Sequence, residues 1–70
     1  MEPVLLDARH VAALLSVSAR QVWRLNATAM IPTPVRIGRS VRWRRDEIDA
    51  WVAAGCPPRD RWEATRERSR

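Results

Sequence analysis

Arg20, Gln21 and Arg24 lie close together in the stretch Ala19-Arg20-Gln21-Val22-Trp23-Arg24-Leu25. Arg carries a planar fork of donors that matches phosphate oxygens or the O6/N7 edge of guanine. Gln can pair with adenine N6/N7 in the same bidentate way. A second set follows in Val35-Arg36-Ile37-Gly38-Arg39-Ser40-Val41-Arg42-Trp43, where three Arg and no acid fall within nine residues. Ser18 and Thr28 bracket the first set with hydroxyls that can donate to phosphate, and Ser40 sits inside the second. These side chains suit recognition of a polyanion, not bond making. No Ser/His/Asp set, phosphate loop or carboxylate pair with an acid/base partner is visible, so no enzymatic activity is expected. With one His (His10) and one Cys (Cys56), neither a metal-ligand cluster nor an intrachain disulfide is expected, and no cofactor.

Two helices and a turn must position the first set. Asp7 is a predicted N-cap, with His10 where a capping box would carry Glu or Gln. Val11, Leu14 and Leu15 recur at i, i+3, i+4, which predicts a first helix ending near Leu15. Ser16-Val17 makes the turn, with Val17 as its buried residue, and Ser16 stands where a Gly would relieve left-handed strain. Ser18 caps a second helix from about Ala19 to Ala29, with Val22 and Leu25 facing the first. Trp23 either leans on a phosphate or sugar or packs on the hairpin or tail.

Pro32 and Pro34 then force an extended path. Val35, Ile37, Val41 and Trp43 alternate with Arg36 and Arg42, which predicts a two-stranded hairpin, apolar on one side and basic on the other. Gly38 marks its turn, with Arg39 and Ser40 at the tip. The opposing reading of Arg36, Arg39 and Arg42 is a charged strand edge that blocks aggregation. A third helix is predicted from about Arg45 to Ala54, with Asp46, Glu47 and Asp49 in its early turns and Ile48, Trp51 and Val52 inward. Arg44 and Arg45 would balance those acids. Gly55 is a natural stop and Pro57-Pro58 prevents continuation. The result is a mainly α fold with a small β-hairpin, a winged helix-turn-helix over residues 1–55. Residues 56–70 form an Arg-rich tail, extended or partly helical, in which Trp62 either docks on the core or remains outside it.

Seventy residues make one small domain, in which four Trp supply much of the apolar area. Thirteen basic residues, all Arg, oppose eight acids for a formal charge of +5. The Arg excess has a bland source in a GC-rich coding sequence, so Arg placement is the stronger argument. No apolar run approaches the ~20 residues a membrane span needs, and no signal-peptide pattern opens the chain. A cytoplasmic protein without a membrane partner is expected.

The ordered elements V-A-x-L-L, S-V-S-x-R-x-V-W-R-L, P-x-P-V-R-I-G-R, V-R-W and D-x-I-D-A-W resemble the AlpA/excisionase family of small helix-turn-helix proteins. Their fold is similar to the winged DNA-binding domain of MerR regulators. The resemblance spans Leu5 to Gly55. It implies double-stranded DNA as partner, with Ser18, Arg20, Gln21, Arg24 and Thr28 on or beside the recognition helix and Arg36, Arg39, Ser40 and Arg42 on the wing. Some members are excisionases that bend attachment-site DNA and help a site-specific integrase excise a prophage or mobile element. Others regulate transcription of such elements. The resemblance therefore implies a bacterial or phage-encoded protein, an integrase partner and self-association on DNA. Transcription regulation is the alternative role, and a protein-interaction adaptor a more distant one. Ser16 departs from the common turn Gly, and Trp23 stands where Tyr is frequent.

Overall fold

Asp7 and Ser18 each start a helix by accepting an amide that the helix itself leaves unpaired. The computed structural model describes residues 4–68, so residues 1–3 of the lead-in and 69–70 of the tail lie outside the described residues. Helix α1 (Ala8–Leu15) follows Asp7, whose carboxylate accepts the His10 backbone N–H at 2.9 Å. The His10 imidazole Nδ1 also lies 2.9 Å from that carboxylate. Helix α2 (Ala19–Ala27) follows Ser18, whose Oγ accepts the Gln21 N–H at 3.0 Å.

Three helices end in the same way. The chain turns left-handed at Ser16 (φ 58°), Ala29 (φ 56°) and Gly55 (φ 92°). After each helix two amides fold back on its last carbonyls: Val17 on Ala12, Met30 on Leu25 and Cys56 on Trp51 provide the longer closures. This is the Schellman arrangement, and it satisfies carbonyls that have no helical partner. Gly adopts the conformation freely at position 55. Ser16 and Ala29 carry a Cβ in it, at a cost of roughly 1–2 kcal/mol each.

The inward stripe of α1 is Ala8, Val11, Ala12 and Leu15, an i, i+3, i+4, i+7 set. Leu14, expected on that stripe, is 43% exposed. Val17 likewise stays 38% exposed, because the turn uses its amide while its side chain remains outside the α1–α2 contact.

Three strands form an antiparallel sheet in the order β1-β3-β2, made of β1 (Leu5–Leu6), β2 (Val35–Ile37) and β3 (Ser40–Arg44). The strand β1 was not expected from the sequence. Leu6 pairs with Trp43 and Leu5 with Arg44, which fastens the start of the chain to the middle of the sheet. In the hairpin, Val35 pairs with Arg42, Arg36 with Val41 and Ile37 with Ser40. Gly38 (φ 60°) and Arg39 therefore make a two-residue turn, and Ser40 belongs to the strand. Paired residues share a face, so this register overturns the expected one-sided pattern. Val41 and Trp43 face the core together with the position of Arg36. Val35 and Ile37 share the other face with Ser40 and Arg42, and Ile37 is 57% exposed. Apolar residues occupy odd positions on both strands, but a two-residue turn pairs odd positions with even ones.

Helix α3 (Arg45–Ala53) turns Ile48 and Trp51 inward; Val52, expected beside them, is 45% exposed. The tail forms helix α4 (Arg59–Arg68), whose Trp62 joins the core that holds Trp43 and Trp51. Each buried indole N–H has an acceptor: Trp43 donates to the Pro32 carbonyl (2.9 Å), Trp51 to the Pro57 carbonyl (2.8 Å) and Trp62 to Glu47 Oε2 (3.1 Å). Pro57 thus stops α3 and also satisfies the Trp that α3 buries. No helix among the described residues is long and apolar enough to cross a membrane.

Candidate nucleic-acid interface

Val22 is fully buried under α2, and its position decides where the other α2 side chains go. At 3.6 residues per turn, Arg20 and Arg24 lie roughly 160° from Val22, on the outward face. Both are exposed. Gln21 and Thr28 occupy one flank and Trp23 the other. Gln21 is half-buried, and its backbone N–H is bound to Ser18. The Ser18 hydroxyl accepts that bond, which leaves its own proton available to a phosphate. The Thr28 hydroxyl donates to the Arg24 carbonyl at 2.9 Å, so its donation to a phosphate requires that bond to open.

Arg36 and Arg39 are exposed on the wing, while Ser40 and Arg42 are half-buried. Arg42 folds back, donating from Nη1 to the Val41 carbonyl at 2.8 Å. An open groove runs between the start of α1, the Trp23 flank of α2 and the wing. Arg9, Trp23, Arg39, Ser40 and Arg42 line it, with Asp7, Ala8 and Val41. Trp23 is 45% exposed there, and its ring lies 5.7 Å from that of Trp43, tilted by 58°. The hairpin side is therefore where Trp23 packs, with nearly half its surface open to the groove. Asp7 is the one carboxylate in the lining. The His10 amide bond chiefly, then the charges of His10 and Arg42, hold it below the usual carboxylate range.

The fold brings Arg39, Ser40 and Arg42 of the wing beside Trp23 of α2, while Arg20 and Arg24 project from the adjacent outward face. Arg9 is a groove residue that sequence reasoning did not name, and Trp23 one for which it left backbone contact and packing on the hairpin or tail open. The signal for Arg9 was its position in the first turn behind the Asp7 cap. The signal for Trp23 was an aromatic residue one step before Arg24 that Val22 and Leu25 leave off the core face.

Charge is segregated along the chain. Residues 8–45 contain eight of the thirteen Arg and none of the eight acids. Three of the acids beyond them are taken up locally: Asp49 approaches Arg45 at 3.8 Å, Glu47 pairs with Arg66, and Glu63 accepts from Thr33 Oγ1 at 2.9 Å. These acids lie on α3 and α4, which leaves Asp7 as the one acid against the Arg residues of the groove. Among the described residues no group of three His, Cys, Asp or Glu could hold a metal ion. Cys56 is an exposed thiol after α3.

The family model described as a helix-turn-helix domain matches residues 5–56. Neither curated proteins nor solved structures yielded a match.

Proposed function

The chain belongs to the helix-turn-helix domain family, and from that premise we propose that it binds double-stranded DNA sequence-specifically as an excisionase. In this role it assists a site-specific integrase of a prophage or mobile element. The winged helix-turn-helix is a DNA-binding fold; the reading that goes further rests on how its Arg residues are placed. The outward face of α2 carries Arg20 and Arg24, and an acid-free wing carries Arg36 and Arg39 beside it.

In this reading α2 enters the major groove. Arg20 reads guanine or grips phosphate, and Gln21 reads adenine from the first turn, where base contacts of a recognition helix start. Arg24, Ser18 and Thr28 hold the backbone on either side. The wing, with Arg39 at its tip and Arg36, Ser40 and Arg42 behind it, spans to the adjacent minor groove. The groove lined by Arg9 and Trp23 then takes the phosphate strand between the two.

DNA binding should be strongly salt-dependent. Neutralising about 5–7 phosphates costs roughly two to four orders of magnitude in affinity between 50 and 200 mM salt. Binding insensitive to salt would sink the DNA reading and leave a protein-interaction adaptor. Footprinting on the DNA around the gene tests the role. Protection of repeated sites at an attachment region, with excision stimulated in the presence of the neighbouring integrase, is the expected result. Protection confined to a promoter, without effect on excision, assigns transcription regulation instead.

A further inference from the structure

We infer that Ile37 is an apolar minor-groove contact of the wing, in addition to the wing's arginines. The inference rests on the DNA-binding reading and adds a residue and a kind of contact to it. Because Gly38-Arg39 is a two-residue turn, Ile37 pairs with Ser40 and faces away from Val41 and Trp43. The strand β3 lies between β1 and β2, so Ile37 sits on the outer strand, at its turn end. It is 57% exposed, more than its strand neighbour Val35, which is half-buried.

More than half of this β-branched side chain, next to the hairpin turn, is left uncovered by the fold of the free protein. Its surroundings say what it fits. Arg39 follows two residues later in the turn, Arg42 shares its face, and no acid lies between residues 8 and 45, while Arg36 takes the opposite face. A positively charged surface with one apolar knob complements a surface that is negative at its rims and apolar on its walls. The DNA minor groove has that form, with phosphates along its edges and deoxyribose faces lining its sides. Proteins that enter it combine Arg with apolar side chains such as Ile. Arg39 and Arg42 supply attraction and register. Ile37 supplies contact area that carries no charge, and it releases no counterion when bound.

That last property makes the test. Binding to a short A·T-rich duplex is measured over a range of salt for the wild type, Ile37→Thr and Arg39→Ala. Thr keeps the strand preference and the position is exposed, so the melting temperature should stay unchanged. Ile37→Thr should weaken binding by about tenfold at every salt concentration, with the salt slope intact. Arg39→Ala should instead reduce the slope by about one. On the same duplex with its minor groove filled by a small groove binder, wild type and Ile37→Thr should bind alike. Equal affinities on the open duplex overturn the inference, as does a difference that persists on the filled one. A loss seen only on DNA with several adjacent sites also overturns it and places a second copy of the chain on Ile37. Salt-insensitive binding by the wild type is a separate outcome, because it defeats the DNA reading itself.

Discussion

Helices α2 and α4 are both short and Arg-rich, yet they use Arg in opposite ways. On α2, Arg20 and Arg24 stand on the outward face, away from Val22. On α4, Arg59 donates from Nε to the Ile31 carbonyl and from Nη2 to Asn26 Oδ1, both at 2.9 Å, while its backbone N–H reaches the Ala29 carbonyl at 3.0 Å. Arg66 pairs with Glu47, the same carboxylate that takes the Trp62 N–H. Arg is an internal clamp in α4, and in the proposed DNA-binding reading it is the ligand-binding group of α2. Acceptors within reach make the difference. The end of α2 and the loop after it offer bare carbonyls to α4, whereas the outer face of α2 has none to offer itself. The clamp also sits at the carbonyl end of α2, where a positive charge is favourable. The helix that lies beyond the matched family region thus braces the helix that lies within it.

The comparison breaks most visibly at Trp62. Trp62→Ala removes a buried indole from the shared core and should cost about 3–5 kcal/mol, a large share of the stability of so small a domain. Chemical denaturation with circular dichroism reads this directly; a loss under ~1 kcal/mol would mean α4 is not part of the cooperative unit.

The arginines come next in size. Arg59→Met leaves the Ile31 carbonyl and Asn26 without their donor and should cost about 1.5–3 kcal/mol of stability. Arg24→Ala should leave stability within ~0.5 kcal/mol, yet weaken DNA binding by roughly tenfold. A paired measurement of melting and binding separates the two roles. If Arg24→Ala proved the more destabilising of the pair, the contrast would be lost.

A smaller gain is expected at the junction between the two helices. Ala29 holds φ 56° while its carbonyl accepts from Arg59. Ala29→Gly relieves roughly 1–2 kcal/mol of left-handed strain. It gives back part of that through the freer unfolded chain, for a net stabilisation of about 0.5–1 kcal/mol. A fall in melting temperature would show that the turn is held for another reason.

The smallest effect lies at Asp7, away from both helices. Its folded pKa is depressed below 3.8, so its contribution is present above that value and disappears as pH falls through the folded pKa. Asp7→Asn keeps an N-cap acceptor but cannot titrate. Wild type should therefore be the more stable of the two near neutrality, with the margin shrinking in acid. A margin that grows on acidification would contradict the assigned sign.

Much of this was legible from residue types at short spacing. Asp7 and Ser18 announced two helix starts, Gly55 a helix end, and Val22 with Leu25 the buried side of α2, which left Arg20 and Arg24 outside. The hairpin was legible in place but not in register. Alternation at Val35, Ile37, Val41 and Trp43 looked one-sided, and only the choice of Gly38-Arg39 as the turn put Ile37 on the outer face. Leu14 and Val52 were apolar and in period, and Val17 was the expected buried residue of the turn, yet all three lie at the surface. Arg9 and Trp23 became groove residues only when β3 came to lie beside them.

The amino-acid sequence by itself determined α1, α2, the hairpin and α3, but not β1 or α4, because caps, turns and helical periodicity act within a few residues, where loop closure costs little. It also determined where the positive charge lies, since all acids are absent from residues 8–45. Tertiary structure decided which side chains remain available for use. The pairing of Leu5 and Leu6 with β3, the seating of Trp62 and the capture of Arg59 by the end of α2 join residues far apart in the chain. Such contacts form only after the entropy of bringing the segments together has been overcome, and local spacing carries no record of them.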